Sequence, residues 1–162
     1  MNSDELLYEL IKINSIKIQT KNPFKWASGW KSPIYFDNRV SLYFPNIRSE
    51  IKNRLCKIIL EKYNGVDVIA GVATAGIPQS SLVADKLKKP LVYVRSKPKS
   101  HGMKNMIEGS LEEGKKIILI EDLISTGGSS IKAVEALREK RSDVLAVLSI
   151  FSYGFESSKE NF

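Results

Sequence analysis

Apolar and polar positions change their period part-way along the chain. Leu6, Leu7, Leu10 and Ile11 follow Ser3, Asp4 and Glu5 at helical spacing, which predicts an amphipathic helix capped by Ser3, with acids in the first turn where they complement the helix dipole. After Pro45 the spacing of three and four returns in Ile47, Ile51, Leu55, Ile58 and Ile59 and predicts a second helix ending near Asn64 and Gly65, with Cys56 beside its stripe. Between the two, residues 24–33 are rich in Trp, Ser, Gly, Lys and Pro and are read as a loop, followed by a short strand at 34–36. From residue 66 onward short aliphatic runs take over. They predict strands at 66–70, 91–94, 116–120 and 144–150, with helices at 78–87, where proline sits in the first turn, and at 129–140. Strands alternating with helices imply an α/β fold with a parallel sheet covered on both faces, and neither a repeat nor a linker interrupts it. Residues 95–115 show no period and are read as a long polar loop, a length that in compact domains usually serves function.

Composition narrows the classes. The chain has 162 residues, 43% of them hydrophobic, enough for one domain with a real core. Its longest aliphatic runs, 117–120 and 144–148, fall far short of the roughly 20 apolar residues of a membrane span. The opening Met1-Asn2-Ser3-Asp4-Glu5 has no targeting character, so a cytoplasmic location without a membrane partner is expected. One cysteine, Cys56, and one histidine, His101, can form neither an internal disulfide nor a four-ligand zinc site. The formal charge is 25 − 18 = +7, and Lys86, Lys88, Lys89, Arg95, Lys97, Lys99 and Lys104 lie in one stretch without an acid, so the rest of the chain sums to zero. That stretch has no interleaved aromatics beyond Tyr93 and no RNA-binding motif, so nucleic acid is not expected as a partner. A cationic lid closing over a phosphorylated ligand suits it better.

The most informative segment is Ile117-Ile118-Leu119-Ile120-Glu121-Asp122-Leu123-Ile124-Ser125-Thr126-Gly127-Gly128-Ser129. A buried strand delivers two acids to its carboxyl end, where open α/β sheets bind ligands, and a hydroxyl- and glycine-rich turn then enters a helix whose N-terminus attracts anions. A strand end and a helix cap would explain each feature separately. Carboxylates beside a phosphate-binding turn together suit a ligand with both hydroxyls and phosphate, a ribose phosphate. A second turn, Gly71-Val72-Ala73-Thr74-Ala75-Gly76-Ile77-Pro78, has the glycine spacing of a Walker A loop but lacks its Lys and Ser/Thr, which argues against nucleoside triphosphate hydrolysis.

These residues resemble the type I phosphoribosyltransferases, with an aliphatic strand, two acids, two apolar residues and a Ser/Thr/Gly loop. The fold this implies is a parallel sheet flanked by helices, an N-terminal hood-like extension and a mobile basic loop. It also implies that Glu121 and Asp122 take the ribose hydroxyls, that the loop from Leu123 and Ile124 through Ser125, Thr126, Gly127, Gly128 and Ser129 holds the 5′-phosphate, and that Ala73, Thr74, Ala75 and Gly76 bind diphosphate through their backbone. Some relatives carry a lysine near Ala75. The stretch Arg95-Ser96-Lys97-Pro98-Lys99-Ser100-His101-Gly102 is similar to the lid of the family branch that acts on orotate. The implied roles are diphosphate binding by Arg95, Lys97, Lys99 and His101, catalysis by Lys99, His101 and Asp122, and a homodimer in which the lid reaches the neighbouring site. Residues 24–37, with Ser28-Gly29, Ser32-Pro33 and Tyr35-Phe36-Asp37, are similar to that branch's base pocket, which implies orotate binding by Tyr35, Phe36 and Ser125. Relatives often have a lysine where this chain has Ala27, so Lys31 or Lys25 would supply that contact. The implied cofactor is Mg²⁺, held by substrate and water rather than by direct protein ligands.

The expected organisation is a single domain over 1–162, with 1–45 contributing the base pocket and 65–153 forming the ribose-phosphate core. Relatives usually continue past the strand at 144–150, often with an arginine near it. Here Phe151-Ser152-Tyr153-Gly154 has none, and the C-terminus is read as short or truncated. The competing readings are a nucleotide-sensing regulator of the same fold and a phosphoribosyltransferase for another base.

Overall fold

The computed structural model describes residues 2–25, 29–97, 105–156 and 158. They fall into two compact units, 1–50 and 51–162.

In the first unit, helix α1 (Ser3–Lys12) starts one residue earlier than its pattern predicts. Asn2 is the cap, and its side chain accepts from the Glu5 amide at 2.9 Å while the Glu5 carboxylate accepts from the Asn2 amide at 2.8 Å, a reciprocal box that satisfies two helix-end donors. Strand β1 (Ile16–Ile18) pairs antiparallel with β4 (Ile34–Phe36), and two-residue strands β2 (Phe24–Lys25) and β3 (Lys31–Ser32) pair inside the stretch read as loop. Such short ribbons leave too few alternations to be seen in a sequence. The end of β4 is pinned by fully buried Ser15, whose hydroxyl donates to the Asp37 carbonyl at 2.8 Å and whose carbonyl accepts from the Asp37 amide at 2.8 Å. A 3-10 turn (Asn38–Tyr43) follows, and its cap Asp37 is gripped by the Arg39 guanidinium through two 2.7 Å contacts that hold the carboxyl below its ordinary range.

Helix α2 (Pro45–Lys62) crosses from the first unit into the second. Ile47, Ile51, Leu55, Cys56 and Ile59 are buried, whereas Ile58 is 36% exposed because it lies about 100° around the helix from Ile59. Burial pushes the Cys56 thiol pKa up.

The second unit contains β5 (Val68–Val72), α3 (Ile77–Leu87), β6 (Leu91–Val94), β7 (Ile107–Glu108), β8 (Lys116–Ile124), α4 (Gly128–Glu139) and β9 (Asp143–Ser152). The sheet order is β7-β6-β5-β8-β9, with β6, β5, β8 and β9 parallel. It is mixed rather than wholly parallel, because β7 returns antiparallel against β6 from within the stretch read as an uninterrupted loop. From the β5/β8 pair the chain crosses outward both ways, through α3 to β6 and through α4 to β9, so right-handed crossovers place the helices on opposite faces. Ile117 and Leu119 of β8 join Ala133, Val134 and Leu137 of α4 in one buried cluster with Val68, Ala70 and Val72 of β5. Among the described residues, no helix is long and apolar enough to cross a membrane.

Candidate active site

The reversal of strand order between β5 and β8 is the place where open α/β sheets leave a crevice beyond the strand ends. Here the pairing of β5 with β8 stops at Gly71 opposite Ile120, while β8 goes on beside β9 to Ile124 opposite Ser152. Glu121 and Asp122 therefore stand inside a nine-residue strand, just past the point where its central neighbour turns away, and not at the strand's end as the sequence suggests. The apolar run ends at Ile120, but the backbone ladder with β9 does not.

Strand alternation sends the two acids to opposite faces. Glu121 continues the Ile117 and Leu119 series toward α4 and is 4% exposed, whereas Asp122 is half-buried. One oxygen of Glu121 accepts from the Asp122 amide at 3.1 Å. The other accepts from the Ser130 hydroxyl at 3.2 Å and the Ser129 hydroxyl at 3.4 Å. Burial, reinforced by the neighbouring Asp122 carboxyl, raises the Glu121 pKa from the ordinary 4.5 to about 8. Between those values the folded chain keeps a proton that the unfolded chain has released, so this group's contribution to stability falls as pH rises from about 4.5 to about 8 and levels off above. Glu121→Gln should remove that component. Urea unfolding at about pH 5 and about pH 9 checks it, and equal pH dependence in wild type and variant would show that Glu121 is not the group responsible.

Beyond the acids, Ser125 is half-buried and Thr126 exposed, and Gly127 takes a left-handed conformation (φ 85°) at the cap of α4, where no side chain bonds the helix end. The Ser129 hydroxyl, at the end of the loop that the resemblance assigns to phosphate, lies 3.4 Å from Glu121.

The 73–76 turn meets β8 directly. A Cβ at Gly76 would lie 2.6 Å from the Ile120 carbonyl oxygen and 2.7 Å from that of Val72, so only glycine lets this turn lie against the backbone preceding the acids. Not all of the turn points at a ligand. The Ala73 amide donates to Val94 at 2.8 Å and the Gly76 amide to Val72 at 2.9 Å, because they close the turn on its own sheet; exposed Thr74 and half-buried Ala75 occupy its crest.

Arg95 leaves the end of β6, its amide donating to the Met106 carbonyl at 2.8 Å and its guanidinium to Glu108 at 3.1 Å. With Ser96 it lines a cavity of about 210 Å³ closed by Gly128, Ser129 and Lys132 of α4. Lys132 was not anticipated from sequence, although it lies one helical turn after Ser129; nor was Ser130. Lys97 is exposed, while Ala27, Lys99 and His101 lie outside the described residues. In the first unit, Tyr35 packs against Phe24 with ring centroids 5.4 Å apart, and Phe36 is 4% exposed. Asp37 donates to Ser15 and Gln19 to Pro33, so ladder parity turns the Phe36 amide and carbonyl away from β1.

Residues 44–153 match the phosphoribosyl transferase domain family. An orotate phosphoribosyltransferase of Cytophaga hutchinsonii is 52% identical over 158 residues, covering 98% of this chain and 76% of the relative. The chain belongs to the orotate phosphoribosyltransferase family. The namesake from Staphylococcus saprophyticus is also 52% identical, over 94% of this chain and 75% of its own. Among solved structures, the orotate phosphoribosyltransferase of Aeropyrum pernix superposes with a TM-score of 0.85 at 28% identity, covering 96% of this chain and 86% of that one. An adenine phosphoribosyltransferase of Saccharomyces cerevisiae gives 0.77 at 18% identity over 98% and 95% of the two chains, which is likeness of fold alone. The type I phosphoribosyltransferase fold expected from the motifs is thus the fold of this orotate phosphoribosyltransferase relative.

Proposed function

We propose that the chain transfers the 5-phosphoribosyl group from phosphoribosyl diphosphate to orotate, giving orotidine 5′-phosphate and diphosphate in the pyrimidine (UMP) biosynthetic route of the cytoplasm. The supporting observation is the 73–76 turn lying against β8 at Ile120, the residue before the two acids, at the β5/β8 switch point, in a chain about half identical to orotate phosphoribosyltransferases over nearly its whole length.

Breaking the bond at ribose C1 leaves positive charge on the sugar and negative charge on the diphosphate, so the protein's task is position and electrostatics. Asp122, the outward carboxylate, is assigned the ribose hydroxyls, and the turn from Ser125 to Gly128 the 5′-phosphate. Thr74 and Ala75 are assigned the diphosphate through their amides. Arg95 and Lys132 bring positive charge to the cavity beside the phosphate turn, with Lys97, Lys99 and His101 as the lid. The base is assigned in the first unit to the amide and carbonyl of Phe36, which face away from β1, with Tyr35 beside them, since the Phe36 ring itself is buried. Mg²⁺ fits the donor set: Glu121 is occupied by two serines, and one half-buried Asp122 suits a hard cation that keeps phosphate oxygens and water as its main ligands. Bound with substrate, it would supply charge neutralisation on the departing diphosphate. A homodimer with a shared lid completes the reading.

The test mixes the purified chain with orotate, phosphoribosyl diphosphate and Mg²⁺ and follows the near-ultraviolet absorbance of orotate. Loss of absorbance requiring all three is expected. Adenine or another base consumed in place of orotate would overturn the substrate assignment.

A further inference from the structure

We propose that Ser130 is a positioning residue for the ribose-phosphate site, tying the first turn of α4 to β8 through its hydroxyl on Glu121. The inference rests on reading 125–128 as the phosphate turn. One carboxyl spans that turn: Glu121, on the strand before it and set by the adjacent Asp122 amide, accepts from Ser130 on the helix side. At the helix side the usual fastening is missing, because the cap is Gly127, with no side chain to bond the open amides of the first turn. The fixing of that end falls to Ser130.

Packing alone does not ask for a hydroxyl here. Ser130 is 1% exposed and heads the buried stripe that continues through Ala133, Val134 and Leu137 at spacings of three and four, all apolar. An alanine would suit that stripe at least as well. The hydroxyl instead reaches the carboxyl beside Asp122, so the amides offered to phosphate and the carboxylate offered to the ribose are held in one register. Ser129 makes the same bond at 3.4 Å from an exposed position and is the weaker tie.

Calorimetric titration with phosphoribosyl diphosphate and Mg²⁺, without orotate, compares wild type with Ser130→Ala and Ser130→Thr, each first shown to unfold cooperatively. Ser130→Ala should bind about fivefold more weakly, the worth of one buried hydrogen bond, and in turnover should raise KM by the same factor with kcat nearly unchanged. Ser130→Thr, which keeps the hydroxyl, should bind as wild type does. Wild-type affinity in Ser130→Ala, or equal weakening in both variants, overturns the inference and leaves the proposed function standing. A wild-type chain that does not bind phosphoribosyl diphosphate at all removes the reading of the site, and this inference with it.

Discussion

Gly76→Ala should lower phosphoribosyl transfer by about a hundredfold, the cost of misplacing a reacting group by roughly an ångström. The backbone angles of Gly76 (φ −75°, ψ −19°) would admit alanine, so the effect is steric and not conformational. The new methyl would sit 2.6 Å and 2.7 Å from two carbonyl oxygens and 3.0 Å from the Val72 nitrogen, all backbone atoms that no rotamer change can move. Either the turn lifts from β8 or the strand bends at Ile120, one residue before the acids. The associated loss of stability is about 1–3 kcal/mol, as for other overpacked sites, and leaves a folded protein in which to measure the rate. Equal rates for Gly76→Ala and wild type would mean that contact between turn and strand does not set the site.

Asp122→Asn is the second large expectation, a fall in kcat/KM of about a hundredfold, from weakened charge-assisted bonds to two hydroxyls. Glu121→Gln should cost less, since its carboxyl is buried and directed at serines. The contrast between adjacent acids is the discriminating result; the reverse ranking would exchange their roles. The same variant checks the shared lid. Chains carrying Asp122→Asn, mixed with chains carrying Lys99→Ala under proven subunit exchange, should recover part of the activity, because each heterodimer then contains one intact site.

The α/β order and the sheet's central strands were legible because long runs such as Ile117 to Ile120 leave few alternatives. What escaped was set by partners distant in sequence. Strand β7 exists because residues 107–108 find Tyr93 and Val94, and β1 because it finds β4; neither two nor three residues carry a period of their own. The division of labour between Glu121 and Asp122 was hidden for a related reason. Written as a pair they look equivalent, and only the placement of α4 over one face of β8 buries the first and leaves the second outward. Backbone donors were over-counted in the 73–76 turn because a sequence does not say which amides its own sheet will use.

Cys56 gives the fold a natural observer. It is the chain's sole thiol, lies on the inner face of α2 and is 4% exposed. A thiol reagent can reach it only when that face of the helix is uncovered, so the rate of labelling reads the frequency of opening at one known place without any engineered probe. If substrates slow the labelling, the free energy of binding reaches α2; if they do not, the helix opens independently of the site.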